Sequence, residues 1–184
     1  VAFTLLTGSG LALRAFQRLA NTPTGFEPDD LAMARVTLNH EKYAEDESAL
    51  RLYQAVLARM RAQPGIEGIS SNDTLPLSGG NSNGWFKVEG RPPWPANAGP
   101  LMERSRIATG YFETMGIPVL RGREFDESDT ATSRPVVIIS AAVAAQIFPG
   151  EDPIGKRIDL QDHSDEDDWR EIIGVVGDVR KMGL

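Results

Sequence analysis

The stretch PVVIISAAVAAQIFPGEDPIGKRIDL, residues 135–160, decides the fold of this chain. It opens with the β-branched run PVVII, which is typical of a buried strand. Ser140 follows as a ready N-cap, and Pro149-Gly150 ends the helix that this cap begins. Two more strands are predicted at 154–160 and 172–179, so this end of the chain predicts a β-α-β unit. The apolar stripe of its helix is formed by Val143, Ala144, Ile147 and Phe148.

A second unit of the same kind is predicted earlier in the chain. Residues 31–38 alternate apolar with small or polar side chains, as a half-buried strand does. A helix follows, which Asp46 or Ser48 can cap and which Pro64-Gly65 ends. Residues 66–74 are predicted as the strand that completes this unit.

The middle of the chain, residues 76–134, has a different composition, with loops rich in Gly and Pro. It predicts strands at 85–88 and 103–108 and a short helix at 111–115. The sequence therefore predicts an α+β fold, in which two β-α-β units from residues 21–75 and 135–184 form one lobe. Residues 76–134 form an inserted, mainly β lobe.

Composition excludes several classes of protein. The chain has 184 residues and a formal net charge of −7, with a pI near 4.9. Nucleic-acid binding needs clustered Lys and Arg, so we expect no nucleic-acid partner. The chain has no Cys, which removes disulfides, thiolate zinc sites and Cys nucleophiles.

The first segment has two interpretations, which the sequence leaves open. Residues 1–13 carry no charge, and Arg14 and Arg18 follow them. One interpretation is an amphipathic helix packed on the body of the protein. In the other, residues 1–20 are the end of a transmembrane or stalk helix, which Gly8 and Gly10 favour because Gly is common in membrane helices.

Three polar segments are candidates for a chemical site, and none predicts catalysis. The Gly-rich loop at 78–84 lacks the Lys and the strand-to-helix context of a phosphate loop. Asp126, Glu127 and Asp129 are expected to pair with nearby Arg rather than to act as acid and base. The acidic loop at 161–168 around His163 lacks the spacing of a calcium site and is expected to be a solvated hairpin tip. We therefore expect no enzymatic activity, no cofactor and no metal.

Two tryptophans in the inserted lobe are the candidate site residues. Trp85 and Trp94 flank a Pro-rich loop, GRPPWP, that has no regular element to bury them. Aromatic side chains exposed on such loops often contact partners, so we predict that Trp94 and Trp85 face a partner. The alternative is that the rings cover the core of their own lobe, which the alternating strand favours for Trp85.

Several phrases of the sequence, taken together and in order, resemble one family. They are Gly110-Tyr111-Phe112, Gly116-Ile117, Arg121-Gly122-Arg123 and the stretch FPGEDPIG at 148–155. With them the chain resembles, over nearly its whole length, the MacB-like periplasmic core domain of bacterial FtsX-type ABC permeases. The resemblance is strongest to the acidobacterial type of permease in which this domain is duplicated.

This resemblance implies a fold, a location and a function. The fold is a porter-like lobe of two β-α-β units with a mostly β lobe inserted between them. The location is the periplasmic side of the inner membrane, with flanking transmembrane helices and an ABC ATPase on the cytoplasmic side. The function is non-enzymatic: movement of membrane helices is coupled to substrate export or to a periplasmic partner, such as an adaptor or a second permease copy. A periplasmic ligand-binding or sensory module is the alternative.

Overall fold

The computed structural model describes residues 8, 10–14, 16–17, 24–37, 46–74, 76, 82–92, 94–95, 99–130, 132–160 and 168–179. Three helices and seven strands have defined bounds in these ranges. The helices are α1 (Asp46–Arg61), α2 (Tyr111–Thr114) and α3 (Ala141–Ile147). The strands are β1 (Asn83–Gly84), β2 (Lys87–Val88), β3 (Met102–Glu103), β4 (Val119–Gly122), β5 (Val136–Ser140), β6 (Arg157–Asp159) and β7 (Trp169–Val176).

The longest strand, β7, is the centre of a mixed five-stranded sheet. β5 runs parallel to it, while β6 and β4 run antiparallel to it. β6 pairs with the first residues of β7, and β4 pairs with its last residues. β5 pairs with residues from both of these parts of β7. Because a strand has only two edges, β6 and β4 lie one after the other along the edge of β7 that is opposite β5. β2 extends the sheet beyond β6, and β1 pairs with β3 in a separate two-stranded sheet.

The β-α-β unit predicted at the C-terminal end is confirmed. β5 and β7 are parallel neighbours, and α3 lies between them in the chain. The Ser140 hydroxyl accepts a hydrogen bond from the Val143 amide at 3.4 Å, which is the predicted N-cap. β6 also pairs with β7, in an antiparallel hairpin. β7 therefore belongs both to the β-α-β unit and to this hairpin.

Each face of the sheet carries its own apolar cluster, because neighbouring residues of a strand point to opposite faces. On β5, Val137 and Ile139 belong to the cluster that α3 covers, together with Ile172 of β7. Ile138 belongs to the other cluster, which is built around α2. Burial on both faces explains why β5 and β7 are apolar runs rather than alternating ones.

The junction of β4 with β7 depends on two glycines. Gly122 has a φ of +70°, and a Cβ atom there would lie 2.1 Å from the carbonyl oxygen of Ile173. A Cβ atom on Gly174 would lie 2.3 Å from the carbonyl oxygen of Arg123. The Arg123 amide donates to the Ile173 carbonyl at 3.0 Å across the same contact. The two backbones can approach this closely only because both residues lack a side chain.

The β-α-β unit predicted at the N-terminal end is wrong for the described residues. Its helix is present as α1, but residues 31–37 form no strand, and Met33 and Val36 are exposed. Residues 66–74 make only an isolated bridge, between Asn72 and Ile107. An alternating pattern becomes a strand only where a sheet edge accepts its backbone, and no described strand does so here.

The sheet crosses the predicted boundary between the two lobes. β2 and β4 come from residues 76–134, yet they pair with strands from residues 135–184. β4 was not predicted at all, because all four of its residues are exposed and it has no alternating pattern. The division into lobes at 21–75, 76–134 and 135–184 stays a prediction.

Two segments that are far apart in the chain, residues 24–27 and residues 177–179, lie side by side in the structure. A Cβ atom on Gly25 would lie 1.9 Å from the carbonyl oxygen of Asp178, so the two backbones are in direct contact. Phe26 and Val179 pack against the same apolar cluster as α2. The Glu27 amide also donates to the carbonyl of Met115 at 2.9 Å.

The described part of the first segment is helical at residues 8, 10–14 and 16–17. Leu13 and Phe16 have 59% and 67% of their surfaces exposed, so these two side chains do not pack on the body as the amphipathic interpretation expected. No helix within the described ranges has both the length and the apolar character needed to cross a bilayer.

Candidate functional site

The two candidate tryptophans lie together on one surface. Trp85 directly follows β1, and Trp94 lies in the loop after β2. A Cβ atom on Gly99 would lie 3.0 Å from the nearest ring atoms of both, so the two rings flank this glycine. Trp85 is 37% exposed and Trp94 is 40% exposed. We call Trp85, Trp94 and Gly99 the tryptophan surface.

Trp94 is anchored to the core while part of its ring remains in solvent. Its ring meets that of Phe86 edge to face, with centroids 6.2 Å apart. Phe86 is only 1% exposed and belongs to the cluster under α3. A small cavity of about 210 Å³ lies between Trp94 and the β2 end, lined also by Arg91 and Pro95. An aromatic ring with this support presents an ordered apolar surface.

Arg91 fastens the loop that carries Trp94 to the end of α3. Its guanidinium donates to the carbonyl of Ile147 at 2.6 Å and to the Glu151 carboxylate at 2.9 Å. It also lies 5.1 Å from the ring centroid of Phe148, whose other cationic neighbour is Lys156. A hydrogen bond from Lys156 holds the pKa of Glu151 below its usual range. The FPGEDPIG stretch is therefore a structural link between α3, β6 and the Trp94 loop.

The acidic residues after β4 form an ion-pair network with Arg123. The guanidinium of Arg123 binds Asp129 through two hydrogen bonds, of 2.6 and 2.8 Å, and contacts Asp126 at 3.1 Å. The pKa of Asp129 is lowered by the hydrogen bond from Arg123, and that of Asp126 mainly by hydrogen bonds from Ser128. Carboxylates held ionised in this way are poor proton donors, and the pairing predicted for Asp126 and Asp129 is confirmed. The same prediction is wrong for Glu127, which is exposed and forms no ion pair with a described residue.

An open cleft of about 2720 Å³ separates α1 from the sheet. Tyr53 and Leu57 line it on the α1 side, and Ile107 and Ile138 line it on the other. Pockets for small molecules usually enclose about 300–1,000 Å³. This cleft is too large to bury one small ligand, and the cavity beside Trp94 is too small.

Several predicted sites lie outside the described residues. These are most of the Gly-rich loop at 78–84 and most of the acidic loop at 161–168, including His163. From the acidic loop only Asp168 is described. Its amide donates to the buried carboxylate of Asp159 at 3.3 Å, and its own carboxylate pairs with Arg170. The prediction for this loop as a solvated tip stays a prediction.

The sequence did not predict the contacts between Arg91 and the end of α3, or the cleft beside α1. Arg91 and Ile147 are 56 residues apart, and nothing in the local pattern of either indicates the other. A weak signal was the GRPPW phrase itself, since an Arg beside a turn Gly can reach the exposed carbonyls at a helix C-terminus.

The comparisons with known proteins give one family. The family model for the MacB-like periplasmic core domain matches residues 4–183. The chain is similar to the periplasmic region of MacB from Actinobacillus actinomycetemcomitans, at 22% identity and a TM-score of 0.50, over 70% of this chain and 52% of that one. It is also similar to the extracellular domain of the noncanonic ABC-type transporter YknZ from Gram-positive bacteria, at 17% identity and a TM-score of 0.48, over 68% and 57%.

The chain thus spans just over half the length of these two solved structures. The first of them supports the fold described above. The comparison with curated protein sequences gives no match. The acidobacterial type of permease is not tested by these findings and stays a prediction. The family model covers almost the entire chain and describes a permease domain rather than an enzyme. The chain therefore belongs to the MacB-like periplasmic core domain family, the extracytoplasmic domain of ABC-type permeases.

Proposed function

We propose that this domain couples movement of membrane helices to substrate export or to a periplasmic partner. In this proposal the domain faces the periplasm between flanking transmembrane helices of the permease. An ABC ATPase on the cytoplasmic side supplies the energy. The domain itself carries out no covalent chemistry.

The observation that carries the proposal is the contact between residues 24–27 and residues 177–179. Gly25 touches Asp178, and Phe26 and Val179 share the apolar cluster of α2. A relative displacement of the two segments would therefore act directly on that cluster and on the end of β7. Packed clusters resist gradual deformation, so such a displacement would be passed on as a movement of whole elements.

The tryptophan surface is the proposed contact with a periplasmic partner, such as an adaptor or a second permease copy. Trp85 and Trp94 are partly exposed, and Arg91 holds the Trp94 loop on the core. Tryptophan and arginine are enriched among the residues that dominate binding energy at interfaces.

The alternative, a periplasmic module that binds a small ligand, is less well supported. Such a module needs an enclosed pocket with a few converging polar groups. The cleft beside α1 exceeds the usual volume of these pockets several-fold, and its size fits elements that move relative to each other.

The proposal is tested by distance measurements in the full-length permease with its ATPase. The chain has no native Cys, so spin labels can be placed at Gln54 on α1 and at Glu127 across the cleft. We expect the distance between these labels to change when ATP binds. A control pair within α1, Gln54 and Ala58, should keep its distance. An unchanged distance across the cleft in ATP-bound permease would overturn the coupling proposal.

A further inference from the structure

The cleft beside α1 has an apolar wall on the helix side. Leu50, Tyr53, Leu57 and Met60 line it, and their spacing places them on one face of α1. Leu50 and Met60 are exposed, although both are large apolar side chains. No residue of α1 belongs to either apolar cluster of the described body. An apolar helix face open to solvent marks an interaction surface.

The borders of the cleft are acidic. Its described lining holds nine carboxylates and five arginines and no lysine, a formal excess of four negative charges. Six of the carboxylates are exposed and form no ion pair with any described residue: Asp29, Asp30, Glu67, Glu103, Glu113 and Glu127. These groups are spread along the cleft from residues 29–30 to the loop after β4, so they do not converge on one point as the ligands of a metal ion do.

We propose that the cleft is a docking groove for a cationic amphipathic helix of a partner polypeptide. The apolar side of that helix would lie against Leu57 and Met60 of α1, and its Lys or Arg residues would face the acidic borders. A helix that lays its apolar face into a groove and carries charges along the edges is a recurring mode of recognition. α1 has 16 residues, about 24 Å at 1.5 Å per residue, which sets the length of the partner helix.

Charge and size together select this occupant. An anionic partner, such as a nucleic acid or an anionic lipid surface, would meet the unpaired carboxylates and be repelled. A small molecule would leave most of the cleft in water. The inference rests on the proposed function in one respect, namely that movement of the domain is passed to a partner, and it names the chemistry of that partner.

The test uses the 184-residue chain and a pair of synthetic peptides. The first is a 16-residue amphipathic helix of Leu and Lys, and the second replaces every Lys by Glu. Binding is followed by fluorescence anisotropy of a dye on the peptide. We expect the Lys peptide to bind with an affinity that falls as salt is raised, because the charge contacts are exposed. The Glu peptide should not bind.

A matched pair of variants locates the binding. Glu67→Gln with Glu113→Gln removes two charges from the cleft, and we expect about fivefold weaker binding of the Lys peptide from two exposed charge contacts. Glu89→Gln with Asp152→Asn changes the net charge equally, but at surface ion pairs that lie outside the cleft lining. This second variant should bind the Lys peptide as the unaltered chain does.

Each other result contradicts the inference. If the Lys peptide does not bind the unaltered chain at millimolar concentration, the groove is not a docking site for a cationic helix. If both double variants weaken binding equally, the peptide responds to overall charge and not to the cleft. If both peptides bind alike, the acidic borders select nothing. The comparison of the two peptides needs no variant, so it holds even if a variant fails to fold. None of these assays depends on ATP, so their outcome is independent of the distance test of the coupling proposal.

Discussion

Replacement of Gly122 by Ala tests the account of the junction between β4 and β7. At its φ of +70°, any side chain incurs the cost of a left-handed backbone, about 1–2 kcal/mol. The new Cβ would also lie 2.1 Å from the carbonyl oxygen of Ile173, which accepts the hydrogen bond from the Arg123 amide. Separating the strands enough to relieve this contact breaks that bond, and the groups left unpaired cost about 1–3 kcal/mol more.

Gly150→Ala is the matched control for this variant. Gly150 has a φ of +75°, but no atom lies within 4 Å of its expected Cβ position. Both variants share the left-handed cost, so the difference between them isolates the contact with Ile173. We expect Gly122→Ala to lose about 1–3 kcal/mol more than Gly150→Ala, or about 2–12 °C in Tm for a chain of this size.

The assay is unfolding by heat and by urea, followed by circular dichroism on both variants and the unaltered chain. Equal losses of stability in the two variants would refute the reasoning, because they would mean that β4 does not approach β7 as closely as described. A larger loss in Gly150→Ala would refute it as well.

Four further outcomes are expected. Ile172→Ala should cost about 2–5 kcal/mol in urea unfolding, because Ile172 has no exposed surface and lies in the main apolar cluster. Stability should fall as pH drops below about 4, because the pKa values of Glu89 and Asp129 are lowered in the folded state. The stabilisation from these two carboxylates is complete above their unfolded-state pKa and is lost as they protonate. Measuring Tm against pH will show this loss. Trp94→Ala should leave the chain folded by circular dichroism, since 40% of the surface of Trp94 is exposed, while weakening any partner bound at the tryptophan surface. Deletion of residues 1–13 should change Tm by only a few degrees, because the described apolar side chains there are exposed.

The sequence predicted elements whose causes are local. β5, α3 and β7 follow from a β-branched run, a Ser cap and a helical apolar stripe, all within residues 135–179. α1 was predicted for the same reason, from its cap and its Pro-Gly end. The strand predicted at 31–38 is absent from residues 31–37 because a strand also needs a neighbouring edge, which the local pattern does not contain.

The site was predictable only in part. Exposure of Trp85 and Trp94 could be expected from the loop around them, and both are partly exposed. The support of the Trp94 ring by Phe86 and the link from Arg91 to α3 could not, because they join residues that are distant in the chain or separated by a turn. The acidic cleft depends on side chains from five or more segments, so only the folded chain brings it together.

The position of β7 in the chain has a consequence for the order of folding. β7 is the last described strand, yet β4, β5 and β6 all pair with it, and β2 joins only through β6. On a chain that is still being synthesised, the described residues up to 168 hold two short strand pairs, β1 with β3 and β2 with β6, and three helices with defined bounds. None of these can bury an apolar core alone. The sheet therefore forms late and all at once, when residues 169–176 have emerged. Among the described strands, β4 and β5 pair with β7 alone, so they have no partner strand until β7 is available. Long-range pairing of this kind makes folding slow.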